Sequence, residues 1–410
     1  MTTETELNEL TELDEPISPK TNIKIFADTI GFQSRVSIQY SKILNTEVGQ
    51  KILKIFNNDS RILSLNGKMI SRGSGGRIFE VSHLAMWFLW CVNEYGKKAA
   101  ISHLKSFLDS DKIEVINTLW IIGVMLDESI SLQDGYTIQA LKDMPDSDDK
   151  EHFLKFRMSV HEIMNFPLCA ITKPCYVNKL RPNDPEAIIN DNPDFWNVSR
   201  RLNEIAMLLN AVKGIACVPY YATSYTPLTI PFGIFSSGGG GMFLCDIKND
   251  GSTKLQSESI TIINILIEAY EKLNTTEKEK FQRILIRLYQ AKIRRQIEDK
   301  ILDLGIALEM LLLDGKDEQL ALSFRLRGSW LIGNSQNRKK IFEQLKKIYK
   351  FRSQVAHSGL LCEGIAEKIA HVRDTFPEYQ SLAEDICQKI IKDGIPDWEK
   401  LILNSIENPE

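Results

Sequence analysis

IFEQLKKIYKFRSQVAHSG, residues 341–359, reads as a buried helix with one residue out of place. Apolar residues recur at Ile341, Leu345, Ile348 and Val355, the spacing of a helix that hides one stripe. At ~100° per residue these four point within about 40° of their mean direction. Arg352 falls in the middle of the stripe, where an unpaired charge costs several kcal/mol. It therefore requires a carboxylate or a water-filled cleft. Upstream, DKILDLGIALEMLLL (299–313) places Glu309 on a helix side shared with Leu302 and Leu313, which makes it a natural partner. Downstream, His357 precedes Ser358 and Gly359, and a glycine at that point is a good helix stop, so the histidine belongs to the last turn. The negative end of the helix dipole favours an imidazolium there by ~0.3–1 kcal/mol, which suits a histidine that must accept a proton. Five residues rotate ~500°, so Arg352 and His357 point about 140° apart. Either the last turn is distorted, or two copies of the helix pair and line one cleft from both chains; the second solution predicts a homodimer with a two-fold axis near this helix.

Around this stretch the chain has an ordinary balance, with 410 residues, 43% of them hydrophobic and 25% charged, enough to bury a large core. The length predicts two domains more readily than one. A formal net charge of −4 is too small for a global nucleic-acid or membrane field, so any such surface must be local. Seven cysteines at irregular spacing, with no CxxC pair, point to reduced thiols and to neither a disulfide framework nor a zinc site. MTTETELNELTELDEPISPK at the start is acidic and lacks the basic and apolar regions of a secretory signal. HLAMWFLWCV (83–92) is far shorter than the ~20 residues that span a bilayer. A soluble, cytoplasmic protein is expected, with no membrane partner.

Residues 1–20 read as a disordered acidic tail. Residues 21–255 mix helical and extended patterns, an N-terminal α+β domain. Segments 36–57 and 80–107 look helical, as does LNEIAMLLNAVKG (202–214). NTLWIIGVMLDESISLQDGYTIQAL (117–141), KPCYVNKL (173–180) and GIACVPYYATSYTPLTIPFGIF (214–235) read as short strands joined by turns, with Asp134-Gly135 as one turn. SRGSGGRIF (71–79) exposes backbone N–H groups that suit a phosphate, but it fits no phosphate-loop pattern and reads as a hairpin turn. FSSGGGGMFLCDIKNDG (235–251) is a glycine-rich connection. From 256 to 410 the pattern is helical only, with segments at 257–273, 275–296, 297–313, 317–332, 337–357, 363–373 and 378–392 and a short tail around 396–404. The fold class expected is α+β, a mixed N-terminal domain followed by an all-α bundle.

Three motifs of the helical part are informative together: DLGIALEMLLL, then FRLRGSWLIG, then RKKIFEQLKKIYKFRSQVAHSG. In this order they resemble the HEPN domain of the ApeA-like group over about residues 280–395, and 117–240 is similar to the region preceding HEPN in those proteins. Ser358 departs from the family, which usually carries glycine directly after the histidine. The resemblance implies a HEPN helical bundle, a homodimer, and metal-independent RNA cleavage needing no cofactor, in prokaryotic antiphage defence or toxin–antitoxin biology. An antitoxin or a phage-derived trigger is then an implied partner, and the N-terminal domain would sense or restrain. Carried over residue by residue, Arg352 would clamp the phosphate, His357 would act as acid or base, Ser353 would be the polar residue beside the arginine, and Glu309 would orient Arg352.

That chemistry agrees with the residue types. Attack by the RNA 2′-hydroxyl needs a proton acceptor that works near neutrality, which histidine supplies. Charge building on the phosphate needs a planar permanent cation. RNA also needs a basic landing surface, offered by RILIRLYQAKIRR (283–295) and RKKIFEQLKKIYK (338–350). Lys347 and Lys350 of the second run, with Arg327 of FRLRGSWLIG, are expected to contact RNA. The competing reading is bland: a structural ion pair between Arg352 and Glu309 and an exposed terminal histidine, in a non-catalytic HEPN module that dimerises and binds RNA or protein.

Overall fold

In the computed structural model the described residues are 2–15, 17, 32–159, 168–182, 184, 190–235, 241–242, 253–313 and 318–407. The chain opens with helices α1 (Thr3–Glu9), α2 (Phe32–Leu44), α3 (Glu47–Asn58) and α4 (Ser60–Leu65). A hairpin of β1 (Met69–Arg72) and β2 (Gly75–Ile78) follows, then α5 (Val81–Tyr95) and α6 (Lys97–Asp109). Next come β3 (Lys112–Ile122), β4 (Val124–Met125), β5 (Ile130–Ser131), β6 (Thr137–Ala140), α7 (Asp148–Ser159), β7 (Cys169–Asn178), α8 (Pro193–Leu208), β8 (Val218–Tyr225), β9 (Gly241–Met242) and β10 (Thr253–Lys254). Helices complete the chain: α9 (Ser257–Glu271), α10 (Thr275–Ile293), α11 (Ile297–Leu312), α12 (Leu320–Ile332), α13 (Arg338–Ser358), α14 (Ala366–Asp393) and α15 (Trp398–Glu407). The architecture is thus mixed α+β with a C-terminal helical region.

Six strands form one antiparallel sheet in the order β5-β6-β7-β3-β8-β9. Its centre is β3, where alternate residues face opposite sides. Leu119 and Ile121 join the core with Ile138 and Ile171 on one face, while Trp120 turns to the other with Phe153 and Tyr225. The first face packs on α8 and on the C-terminal helices, so a single apolar cluster runs from the sheet through Leu266, Leu285 and Leu308 to Ile386. A second cluster gathers the N-terminal helices around Phe56, Trp87 and Phe88. The expected boundary at 255 therefore falls on a junction sealed by a shared core: β10 pairs in parallel with β4 immediately before α9 begins. Two polar ties reinforce it. Lys292 of α10 donates to the carbonyls of Asn210 and Ile215, both at 2.6 Å, and Gln388 of α14 donates to the carbonyl of Ala211 at 2.8 Å.

Several expectations change. Residues 2–15 are ordered, not a disordered tail: Leu7 and Leu13 are 0% and 2% exposed. Leucines three apart let an acidic segment bury one side, and Arg61 holds Glu4 at 3.0 Å. The helical stretch 36–57 breaks at Thr46, whose hydroxyl accepts from the Gly49 N–H to cap α3. The stretch 80–107 breaks at Gly96, with φ of 85°. In place of short strands only, β3 runs 11 residues, because both of its faces are covered. The 71–79 hairpin is present, and Gly73, at φ of 78°, turns against Phe195 and Ser224. The two helices expected at 363–373 and 378–392 are one, α14, running through Pro377. Phe376 and Tyr379 on either side are buried, so packing outweighs the ~3 kcal/mol that an interior proline costs. Most of the glycine-rich connection 235–251 lies outside the described residues. Six cysteines are free thiols, and Cys245 is outside the described residues. Among the described residues no helix is long and apolar enough to cross a membrane.

Candidate functional site

Helix α13 is uninterrupted from Arg338 to Ser358 and ends where Gly359 turns to φ of 69° and donates its N–H to the Val355 carbonyl at 2.8 Å. Its apolar stripe is buried: Leu345 and Ile348 are fully covered, Ile341 and Val355 nearly so. Arg352 lies in that stripe with 29% of its side chain still exposed. Two features of α11 admit it. Gly305 presents no side chain, and a Cβ there would lie 2.4 Å from Arg352 Cγ and 2.7 Å from Arg352 Cβ. One turn later, on the same face, Glu309 receives the guanidinium, with Nη2 donating to Oε2 at 2.6 Å. The glycine is therefore the notch through which the arginine stem reaches its carboxylate.

The pair is half-sealed. Glu309 has 20% of its side chain exposed. Burial pushes its carboxyl above the ordinary range, and the adjacent Arg352 charge pulls it back. Arg352 Nε is buried and has no partner among the described residues. A guanidinium with one arm engaged, one donor unused and a path to solvent is a charge held in place rather than consumed. Close packing behind it comes from a second glycine. Gly328 of α12 lies where a Cβ would meet Leu345 Cδ1 at 2.6 Å, so α12 sits tightly on α13.

His357 and Ser353 are placed differently. Ser353 is half-buried and His357 exposed in the last turn of α13. On an ideal helix His357 points ~140° from Arg352 but within ~20° of Lys346 and Lys350. The exposed face of α13 is thus a line of cations ending in the histidine, and Glu343 on it is paired with Lys346 at 3.4 Å. Lys347, also exposed, falls ~80° from His357 on the flank of this line. Beside the line, a cavity of about 470 Å³ opens between α13 and α14, lined by Lys350, Gln354, Cys362, Lys368 and His371 among others. Lys346 belonged to a run read only as basic, and His371 and Lys368 carried no local signal, since α14 brings them in from elsewhere in the chain.

Two other expected contributors have internal partners. Arg327 donates to the Leu312 carbonyl at 2.7 Å, at the end of α11, and lies 5.0 Å from the Trp398 ring centroid. It closes the helix end and seats α15. The basic run 283–295 is not the open cationic face expected. Arg287 and Arg294 both bind Asp303, at 2.6 and 3.2 Å. Lys292, 4% exposed, binds Glu384 at 2.7 Å. A run read along the sequence looks like a surface; folded as a helix against α11 and α14, it spends Arg287, Lys292 and Arg294 on their carboxylates, while Arg283 stays 70% exposed.

Among the described residues no group of three or more His, Cys, Asp or Glu is arranged to hold a metal ion. Comparison of the chain with protein-family models, with curated proteins and with solved structures found no match to any of them.

Proposed function

We propose that the C-terminal helical region is a HEPN-type bundle and that the protein is a metal-independent endoribonuclease acting as a homodimer through α13. The observation that carries the reading is the Arg352–Glu309 pair, a guanidinium admitted to an apolar stripe by Gly305, bound at 2.6 Å and still reachable from solvent. A purely structural charge at that position has no need of an opening, yet 29% of the Arg352 side chain stays exposed.

In this reading Arg352 holds the scissile phosphate and stabilises the charge that builds on its oxygens. The 2′-hydroxyl attacks phosphorus, its proton passing to a His357 imidazole. The bond from phosphorus to the 5′-oxygen breaks, and that oxygen takes a proton from an imidazolium. The products are a 2′,3′-cyclic phosphate and a 5′-hydroxyl. Glu309 fixes the guanidinium plane, Ser353 offers a hydroxyl beside it, and the line through Lys346 and Lys350 gathers RNA by its phosphates. The ~140° between Arg352 and His357 is met by pairing two copies of α13, each arginine working with the partner's histidine. A cytoplasmic enzyme of this kind harms its own cell when unrestrained. The N-terminal region would then restrain it until a phage-derived trigger or loss of an antitoxin frees it.

That same divergence on an uninterrupted helix favours a second reading, a HEPN module that dimerises and binds RNA or protein without cleaving. RNA incubated in EDTA with wild type, Arg352→Ala and His357→Ala separates them. Wild type alone should produce 2′,3′-cyclic phosphate ends, and its expression should arrest growth in a way relieved by Arg352→Ala. Intact RNA together with normal growth refutes the nuclease.

A further inference from the structure

The cavity of about 470 Å³ between α13 and α14 has features that gathering phosphates leaves unused. Its size falls within the ~300–1,000 Å³ typical of small-molecule sites. Apolar Phe351, Cys362 and Val372 line it, the last two 9% and 1% exposed. So do two cations, Lys350 and Lys368, and two carboxylates, Glu363 and Glu367. Their charges cancel. A phosphate gains little from such a balance, whereas a neutral group with apolar faces and polar edges suits it.

Gln354 also lines the cavity, and its Oε1 is buried with no hydrogen-bond partner among the described residues. An empty buried acceptor is costly. The terminal amide turns about a soft bond, so an N–H group in the cavity can fill it. The turn on one side of the cavity is strained. Cys362 and Glu363 are consecutive residues in the left-handed region, at φ of 50° and 57°, which side-chain-bearing residues rarely adopt. Two backbone bonds hold this turn: the Gly364 N–H donates to the Leu361 carbonyl at 3.0 Å, and the Ile365 N–H to the Cys362 carbonyl at 3.1 Å. Strain held in place by its surroundings clusters at ligand sites. Position adds a third feature. Gln354 lies about one helical turn from both Lys350 and His357 on α13, so Lys350 borders the line of cations and the cavity alike.

We infer that this cavity takes one unpaired base of the RNA, which makes the substrate single-stranded at that nucleotide. The inference rests on the proposed role of α13 in gathering RNA. A phosphate held on the line at Lys350 leaves its base beside the cavity. The faces of the base meet the apolar walls, and its edge donates to Gln354. His371, exposed on α14 and lining the same space, is a second polar contact. A base in a duplex is stacked and already paired on its edge, so only a splayed-out base can enter.

The test is fluorescence anisotropy on the full chain carrying His357→Ala, so that no strand is cut. The probes are a single-stranded RNA of about eight nucleotides and the same ribose-phosphate strand without its bases, which carries equal charge. The RNA should bind about tenfold tighter than the abasic strand. Gln354→Ala and, independently, His371→Ala should each remove most of that advantage while affinity for the abasic strand stays unchanged. Equal affinity for the two strands overturns the inference. An advantage that neither substitution reduces overturns it too, as does a duplex of the same length bound as tightly as the single strand. Cleavage by wild type in EDTA is read separately. Cutting without a base-dependent advantage removes the pocket and leaves the nuclease standing; the advantage without cutting does the reverse.

Discussion

Gly305→Ala separates the architecture of the proposed site from its chemistry, because the substituted residue touches no substrate. The added methyl would stand 2.4 Å from Arg352 Cγ and 2.7 Å from Arg352 Cβ. Those atoms sit at the root of the side chain, so rotating the far end of the arginine gives no relief. Restoring an ordinary carbon–carbon contact of ~3.5 Å needs a displacement of about 1 Å. Passed along the stem, that movement lengthens the 2.6 Å bond from Arg352 to Glu309 to ~3.6 Å, beyond a hydrogen bond. Overpacking of this kind costs about 1–3 kcal/mol, and the gain in helix propensity from glycine to alanine returns up to ~1 kcal/mol. The net is about 0–2 kcal/mol of lost stability, a modest fall in Tm. Activity should suffer far more, since a 1 Å misplacement of a catalytic group costs on the order of 10²-fold. The assay is paired: thermal melts, and RNA cleavage rates for the same preparations. A variant with wild-type cleavage refutes the reasoning that the notch positions the arginine. Loss of activity only through unfolding refutes it equally.

Two further outcomes follow from buried charge. Glu384→Ala should lower Tm by about 5 °C, because it strands the Lys292 ammonium at about 3–5 kcal/mol; the pair is only 4% and 1% exposed. Adding Lys292→Met should recover part of that loss and not all, since the carbonyls of Asn210 and Ile215 lose their donor, and scanning calorimetry of both variants checks this. The Glu309 carboxyl is held above its ordinary range by burial, against the pull of Arg352, so the folded state binds this proton more tightly than the unfolded chain. Stability from this group is therefore greatest below the unfolded value and falls as pH rises through the folded one. Acidification into that window should protonate Glu309, loosen Arg352 and lower cleavage while stability rises slightly. Glu309→Gln should remove this component of the pH dependence in denaturant titrations across mildly acidic pH, and an unchanged profile would contradict the assignment.

What the sequence made legible was local and periodic. The stripe of Ile341, Leu345, Ile348 and Val355 is buried, and Arg352 meets Glu309 as its position in that stripe demanded. The helix stop at Gly359 and the hairpin at 71–79 followed from glycine geometry alone. What escaped depended on tertiary partners. Nothing near Gly305 in the chain announces that an arginine 47 positions later will need its missing side chain. Basic residues at 287–294 look like a surface until Asp303 and Glu384 are brought beside them. The acidic leader looked too polar to fold, yet Leu7 and Leu13 had an apolar layer waiting for them. Pro377 reads as a helix end, and only the burial of Phe376 and Tyr379 keeps the helix running.

In the proposed enzyme two chains build one site from Arg352 of one copy and His357 of the other. Mixing Arg352→Ala and His357→Ala protomers after unfolding and reassembly tests it, because each mixed dimer then holds one intact pairing. Each variant alone should be inactive, and the equimolar mixture should recover about a quarter of wild-type cleavage, half the dimers being mixed with one working site of two. A mixture as inactive as its parents, under conditions where wild type cleaves, would contradict it.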